Sequence, residues 1–122
     1  MVRRKLAALS GAETEILRIV WQLGDGTVGQ VGEKLPGTRK IAYATVQTLL
    51  RRLERKGYLK HRNHGKAHVF YPAVQRKDVI GRTVSDFVER LFGGDAMSLV
   101  QHLAEHGEIS EADIENLKTL VK

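Results

Sequence analysis

The sequence predicts a mainly helical chain that carries one small β-hairpin. Three observations predict it: apolar residues at helical spacing in three segments before Gly57, alternation around an Asn/Gly-rich tip between Tyr58 and Ala73, and a return to helical spacing after Asp78.

The first helix opens at Ser10, with Ile16, Leu17, Ile19, Val20 and Leu23 on its apolar face and Gly24 at its end. Glu13, three residues after Ser10, completes a capping box by reaching back to the orphan amide at the cap. Trp21 reads as core. In "TVGQVGEKLPG", Thr27 offers a cap, Val28, Val31 and Leu35 share a face, and Pro36-Gly37 stops a short helix weakened by Gly29 and Gly32. The third helix lies within "TRKIAYATVQTLLRRLERKG", with Thr45 to Lys56 at its heart and Gly57 as its stop. Val46, Leu49, Leu50 and Leu53 follow the i, i+3, i+4, i+7 spacing, so that face must be buried. The opposite face holds Ala44, Gln47, Thr48, Arg51 and Arg55, flanked by Thr45 and Arg52.

In "YLKHRNHGKAHVFYPA", Leu59 and His61 alternate around Lys60, and Val69 and Tyr71 around Phe70. With "NHGK" between the runs this is a β-hairpin with a basic tip, ended by Pro72. Three amphipathic helices follow. Ile80, Val84, Phe87, Val88 and Leu91 precede a Phe92-Gly93-Gly94 hinge; Leu99, Val100 and Leu103 mark the second helix. Ile114, Leu117, Leu120 and Val121 mark the third, with Ser110 as its cap.

At 122 residues and 42% apolar content, the chain is the size of one domain or a small domain with an accessory segment. It contains no cysteine, which excludes disulfides, thiolate metal sites and cysteine nucleophiles and suits a reducing cytosol. The apolar stretch in "MVRRKLAALSGAE" is too short for a signal peptide or a membrane span, so a soluble, cytoplasmic protein without membrane insertion is expected. The net charge is +6, unevenly spread: residues 1 to 38 carry five Lys/Arg and four Asp/Glu, residues 39 to 77 carry eleven against Glu54 alone, and residues 78 to 122 carry four against nine. The middle, at +10, repels itself unless it faces a polyanion, whereas the final third, at −5, cannot lie against phosphate. Two regions are therefore expected, 1–77 and 78–122.

Three helices, the third basic on its outer side, followed by a basic hairpin, is the order of a winged helix-turn-helix. Such a domain places the third helix in the major groove of double-stranded DNA and the hairpin along the backbone. Gln47 suits adenine N6/N7, Arg51 suits guanine O6/N7, and Thr45 or Thr48 suits a base edge or thymine methyl. Tyr43, Arg52, Arg55, Lys56, Arg62 and Lys66 would hold phosphates.

Other readings fit less well. An ion-paired solvated helix would alternate sign. A membrane-surface helix would carry Trp or Phe on its apolar face. "GDGTVG" matches a dinucleotide fingerprint in letters but follows a helix rather than a strand. His61, His64 and His68 straddle the hairpin tip and need not converge, and His102 with His106 supplies half a metal site, so no metal or other cofactor is expected. No nucleophile elbow, HExxH or acid pair supports an enzyme. The rival class is an interaction module whose basic face binds an acidic protein.

With these residues placed, the chain resembles the penicillinase-repressor family of bacterial transcriptional repressors from about Leu9 to Val121. The resemblance rests on "LSGAETEIL" leading to Trp21, on Ala44-Thr45-Val46-x-Thr48-Leu49 through Arg52-Leu53 to Lys56-Gly57, on Tyr71, and on "GGDAMSLV" with the Ser110 to Leu120 helix. It implies a homodimeric repressor on a palindromic operator, with base contacts at Thr45, Gln47 and Thr48 and Arg52 on the backbone. Dimerisation would fall to Ile80, Val84, Phe87, Val88 and Leu91, then Leu99, Val100 and Leu103, then Ile114, Leu117 and Leu120. Ala42-Tyr43 stands where some relatives have Ser-Pro. β-Lactam-responsive members are cut after the "SLV" block by a membrane sensor protease, a position that reads Gln101-His102 here. Copper-responsive members use a C-terminal cysteine motif, which this chain lacks.

Overall fold

The computed structural model describes residues 6–37 and 42–121. Arg39 and Lys40 of the basic segment and the charged N-terminus through Lys5 lie outside the described residues, as does Lys122. Six helices and one two-stranded antiparallel hairpin appear in the order α1 (Gly11–Leu23), α2 (Val28–Glu33), α3 (Tyr43–Arg55), β1 (Leu59–His64), β2 (Ala67–Pro72), α4 (Arg76–Phe92), α5 (Ala96–Glu105) and α6 (Glu111–Lys118). They form two compact units, Met1–Arg76 and Lys77–Lys122.

In the first unit α1, α2 and α3 pack on one another and on the hairpin. The core is built from Ile16, Leu17 and Val20 of α1, Val31 of α2, Val46, Leu49, Leu50 and Leu53 of α3, and Leu59 and Phe70 of the hairpin. Side chains of this size gain about 2 kcal/mol each on burial, so the apolar stripe of α3 fixes which of its faces looks outward. Trp21 is half-buried, and its Nε1–H is buried without a hydrogen-bond partner among the described residues.

The Ser10 capping box is present in both directions, with Glu13 N–H donating to Ser10 Oγ at 3.1 Å and Ser10 N–H to Glu13 Oε1 at 2.8 Å. A second box caps α2: Thr27 Oγ1 accepts from Gln30 N–H, and Gln30 Oε1 from Thr27 N–H. That helix ends at Glu33, so Leu35, expected on its face, reaches the core from the turn beyond it. Helix α3 closes with Gly57 at φ 92°, where Gly57 N–H donates to Glu54 O and Tyr58 N–H to Leu53 O. This paired closure requires a left-handed residue, the reason a glycine stands there.

The hairpin pairs Leu59 with Pro72 through to His64 with Ala67. Its turn is therefore Gly65-Lys66 alone, and Asn63 and His64, expected in the tip, belong to β1 because they pair with His68 and Ala67. Phe70 is buried while its neighbours Val69 and Tyr71 are half-buried. Gly26 locks Phe70 from the other side, donating to Phe70 O at 2.9 Å and accepting from Phe70 N–H at 2.8 Å. "GDGTVG" is thus more than a helix stop and a turn, since it supplies a bridge that anchors the hairpin. A Cβ on Gly26 would lie 3.3 Å from both Leu23 Cδ1 and Val31 Cγ2, so a side chain there would push on packed neighbours.

Among the described residues Glu13 is the one charged residue in the core, 2% exposed. Lys56 Nζ donates to its Oε1 at 2.7 Å and to Ala8 O at 3.0 Å, joining the start of α1 to the end of α3. The Lys56 hydrogen bond, the Ser10 amide and the Ser10 hydroxyl hold the Glu13 carboxyl below its ordinary value despite burial.

In the second unit Val79 and Val88 are buried, while Ile80, Val84, Phe87 and Leu91 of α4 stand exposed. Ile114, Leu117 and Leu120 are exposed as well, and Leu99, Val100 and Leu103 are half-buried. Val88, read from sequence with the exposed stripe, is instead covered within the chain. Asp95 caps α5, and a Ser110–Asp113 box caps α6. No helix among the described residues is long and apolar enough to cross a membrane.

Because the Glu13 carboxyl is lowered in the folded state, the stability it contributes is present above the unfolded carboxylate range and lost as pH falls through the folded value. Glu13→Gln should cost about 2 kcal/mol at neutral pH. In chemical denaturation the gap from the native chain should close as pH drops below that range; a gap unchanged in acid contradicts the assignment.

Candidate nucleic-acid interface

With Val46, Leu49, Leu50 and Leu53 buried, steps of about 100° per residue place Ala44, Gln47, Thr48, Arg51 and Arg55 on the outward arc of α3. Arg52 and Thr45 lie along one edge, and Tyr43 and Glu54 along the other. Thr45, Thr48, Arg51, Arg52 and Arg55 are exposed, Gln47 is half-buried, and Tyr43 is 62% exposed. The hydroxyl of Thr48 donates to Ala44 O at 2.9 Å, so its proton is used within the helix and its oxygen can still accept. Among the described residues the side chains of Arg51, Arg52 and Arg55 make no hydrogen bond or ion pair. Helix α3 follows Ala42 as its N-cap, a residue that makes no side-chain cap hydrogen bond.

Between α3 and the hairpin runs an open cleft of about 280 Å³. Tyr43, Gln47 and Arg51, one helical turn apart, form one wall; Lys66, His68 and Phe70 form the other, and Thr27 and Val28 close the end. The cleft brings Gln47 and Arg51 of the expected base-reading set together with Tyr43 and Lys66 of the expected phosphate set and adds Thr27 and His68, whereas Thr45, Thr48, Arg52, Arg55 and Arg62 do not line it. Thr27 was legible as a helix cap, but nothing in the sequence shows that α2 starts at the hairpin.

Two expected phosphate residues are differently placed. Lys56 is paired within the domain: its ammonium donates to Glu13 Oε1 at 2.7 Å and to Ala8 O at 3.0 Å, with the side chain still 30% exposed. Arg62 is exposed but paired with Asp25 at 2.6 Å, its guanidinium 5.6 Å from the Tyr71 ring centroid. That exposed pair is weak enough for a phosphate to displace the carboxylate.

The histidines meet only in stacked pairs. His61 stacks on His68 with centroids 4.4 Å apart, His64 is exposed beside the turn, and His102 stacks on His106. Among the described residues no three His, Asp or Glu side chains gather into a metal site. Gln101 and His102 are exposed within α5, so a protease would have to unwind that helix to reach the bond between them.

Fold and face together define a winged-helix protein with an outward, cationic third helix and a cationic wing. The family model of the penicillinase repressor matches residues 9–122. The chain is 28% identical over 119 residues to the penicillinase repressor of Bacillus licheniformis, covering 98% of this chain and 93% of that one. It is 26% identical over 117 residues to the methicillin resistance regulatory protein MecI of Staphylococcus aureus, covering 96% and 95%. Among solved structures it is similar to the DNA-binding domain of the repressor BlaI, with a TM-score of 0.54 and 30% identity over 62% of this chain and 93% of that one. It is also similar to monomeric B. licheniformis BlaI in complex with a half-operator, with a TM-score of 0.51 and 31% identity over 61% and 90%. The chain belongs to the penicillinase-repressor family of transcriptional repressors, which are not enzymes.

The different placement of the two cations predicts opposite phenotypes. Arg52→Ala should leave the melting temperature near native and lower the salt slope of duplex binding by about 1, whereas Lys56→Met should lower the melting temperature and leave the slope unchanged. Melting curves and salt titrations of both variants decide it; a reduced slope for Lys56→Met would return that residue to the phosphate face.

Proposed function

We propose that the chain is a DNA-binding transcriptional repressor that occupies a palindromic operator as a homodimer in the cytoplasm. The carrying observation is the row of unpaired guanidiniums of Arg51, Arg52 and Arg55 beside Gln47 on the outward face of α3, with Lys66 across the cleft. Thr45, Gln47, Thr48 and Arg51 read bases from the major groove, where amide and guanidinium groups can bond two edge atoms at once. Tyr43, Arg52, Arg55, Arg62 and Lys66 hold the backbone, Arg62 by exchanging Asp25 for phosphate. Membership of the repressor family and the likeness to BlaI bound to a half-operator support this reading.

Dimerisation belongs to the second unit. Ile80, Val84, Phe87 and Leu91 repeat at i, i+4, i+7 and i+11 and are exposed, as are Ile114, Leu117 and Leu120. Leu99, Val100 and Leu103 are only half-covered, and Val88 supports the stripe from inside. A second copy would cover these faces, and the net negative charge of this region keeps it clear of phosphate. Release would come either from cleavage at Gln101–His102 by a membrane sensor protease, which would have to unwind α5, or from another signal.

The test is a salt titration of the full chain and of residues 1–76 on duplex selected from a random pool. Arg52, Arg55, Arg62 and Lys66 from two protomers make about eight phosphate contacts, for a slope of about −7 in log K against log salt for the full chain. The shorter chain should show about half that slope and much weaker binding, having lost the effective concentration of the second half-site. Salt-insensitive binding by the full chain would favour an acidic protein as the ligand, and equal affinity of the two chains would rule out the dimer.

A further inference from the structure

Glu54 is anomalous on two counts. It is the single acid among eleven basic residues between positions 39 and 77, on a helix whose outer face carries Arg51, Arg52 and Arg55. It also stands in the last turn of α3, where the helix dipole disfavours an anion. A carboxylate that both helix and duplex repel needs a compensating partner, and the structure supplies one on the neighbouring element. Glu54 Oε2 lies 2.6 Å from His61 Nδ1, with both side chains about one-third exposed.

A carboxylate only accepts, so the proton of His61 must sit on Nδ1. The bond therefore sets both the tautomer and the plane of the ring. That plane is passed on: the His61 and His68 rings are parallel within 4°, with centroids 4.4 Å apart, and both rings tilt against buried Phe70 at 5.6 and 6.4 Å. Phe70 is itself clamped by Gly26. His68 and Lys66 form the hairpin wall of the cleft opposite Gln47 and Arg51.

We propose that Glu54 is a positioning residue for the wing: its carboxylate holds the His61 ring against His68 and thereby sets the hairpin wall of the cleft relative to the reading face of α3. The inference rests on duplex binding for its functional consequence, but the positioning itself is a property of the free protein. Glu54 acts through His61 and touches no nucleic acid.

The sign of the mutational effect separates this role from simple electrostatics. Removing one negative charge from a DNA-binding face strengthens binding to every duplex by screening less of the positive field. If Glu54 positions the wing, Glu54→Ala weakens binding instead, by about tenfold, while Glu54→Gln, whose amide oxygen still accepts from Nδ1–H, recovers most of the loss.

The experiment measures affinity of the full-length native, Glu54→Ala and Glu54→Gln chains for one selected duplex at fixed salt. It is paired with long-range proton–nitrogen NMR of the imidazole rings and with amide exchange across Asn63–Ala67 in the free proteins. The expected result is a proton on His61 Nδ1 in the native and Gln chains, its loss from Nδ1 in the Ala chain with faster exchange at the turn, and weaker binding by the Ala chain alone. Binding by Glu54→Ala as tight as native or tighter, or an unchanged His61 tautomer, overturns the proposal. A native chain that binds no duplex would instead sink the duplex reading, and the ring and exchange measurements would still decide the positioning role.

Discussion

The buried stripe of α3 is the constraint on which the remaining structure depends. Val46, Leu49, Leu50 and Leu53 occupy one narrow arc and are buried against α1, α2 and the hairpin. Rotating the helix by one residue would expose leucine and bury arginine, at a cost far above the few kcal/mol of net stability a small domain has. The outward arc is therefore set by the core, and the reading residues need no contacts of their own to be held in place. This explains how three arginines can stand unpaired: the packing behind them supplies the order that ion pairs would otherwise provide.

The same helix is held at three further points. Gly57 closes its C-terminus with two backbone hydrogen bonds, Lys56 ties that end to Glu13 at the start of α1, and Glu54 meets His61 at the start of the hairpin. All three attachments fall within four residues at one end, whereas the N-terminal end begins without a side-chain cap and faces the cleft. These attachments thus gather at the end where the helix joins the hairpin, away from Tyr43 and Gln47 on the cleft. Charge is divided as well: Lys56 and Glu54 are paired within the domain, while the Arg51, Arg52 and Arg55 side chains have no partner among the described residues.

Local features of this fold were legible in the sequence because their chemistry acts over three or four residues. Ser10 with Glu13, the Val46 to Leu53 stripe and the Gly57 stop are of this kind, and the structure contains each. The Thr27–Gln30 box follows the same spacing rule and was equally readable. What could not be read joins residues far apart in the chain. Glu13 meets Lys56 across 43 positions, and no local pattern distinguishes a lysine that holds a buried carboxylate from one that awaits phosphate. Gly26 pairs with Phe70 through a single bridge, too short to show the alternation of a strand. The cleft was half legible: helical spacing put Gln47 and Arg51 on one face, but Tyr43 was not placed with them, and only the folded hairpin brings Lys66 and His68 opposite. In the second unit, spacing grouped Val88 with its exposed neighbours although it is buried, because periodicity reports an apolar arc without saying what covers each part.

The central claim is that a duplex lies against the outward arc of α3 and the hairpin. Backbone amide shifts of the full chain, followed while an operator duplex selected from random sequence is titrated in, test it most directly. The largest changes should fall on Tyr43 to Arg55 and on Gly65 to His68, with the acidic helices α4 to α6 little affected. Changes concentrated on α4 to α6, or spread evenly with none at Gln47, Arg51 and Lys66, would contradict the account.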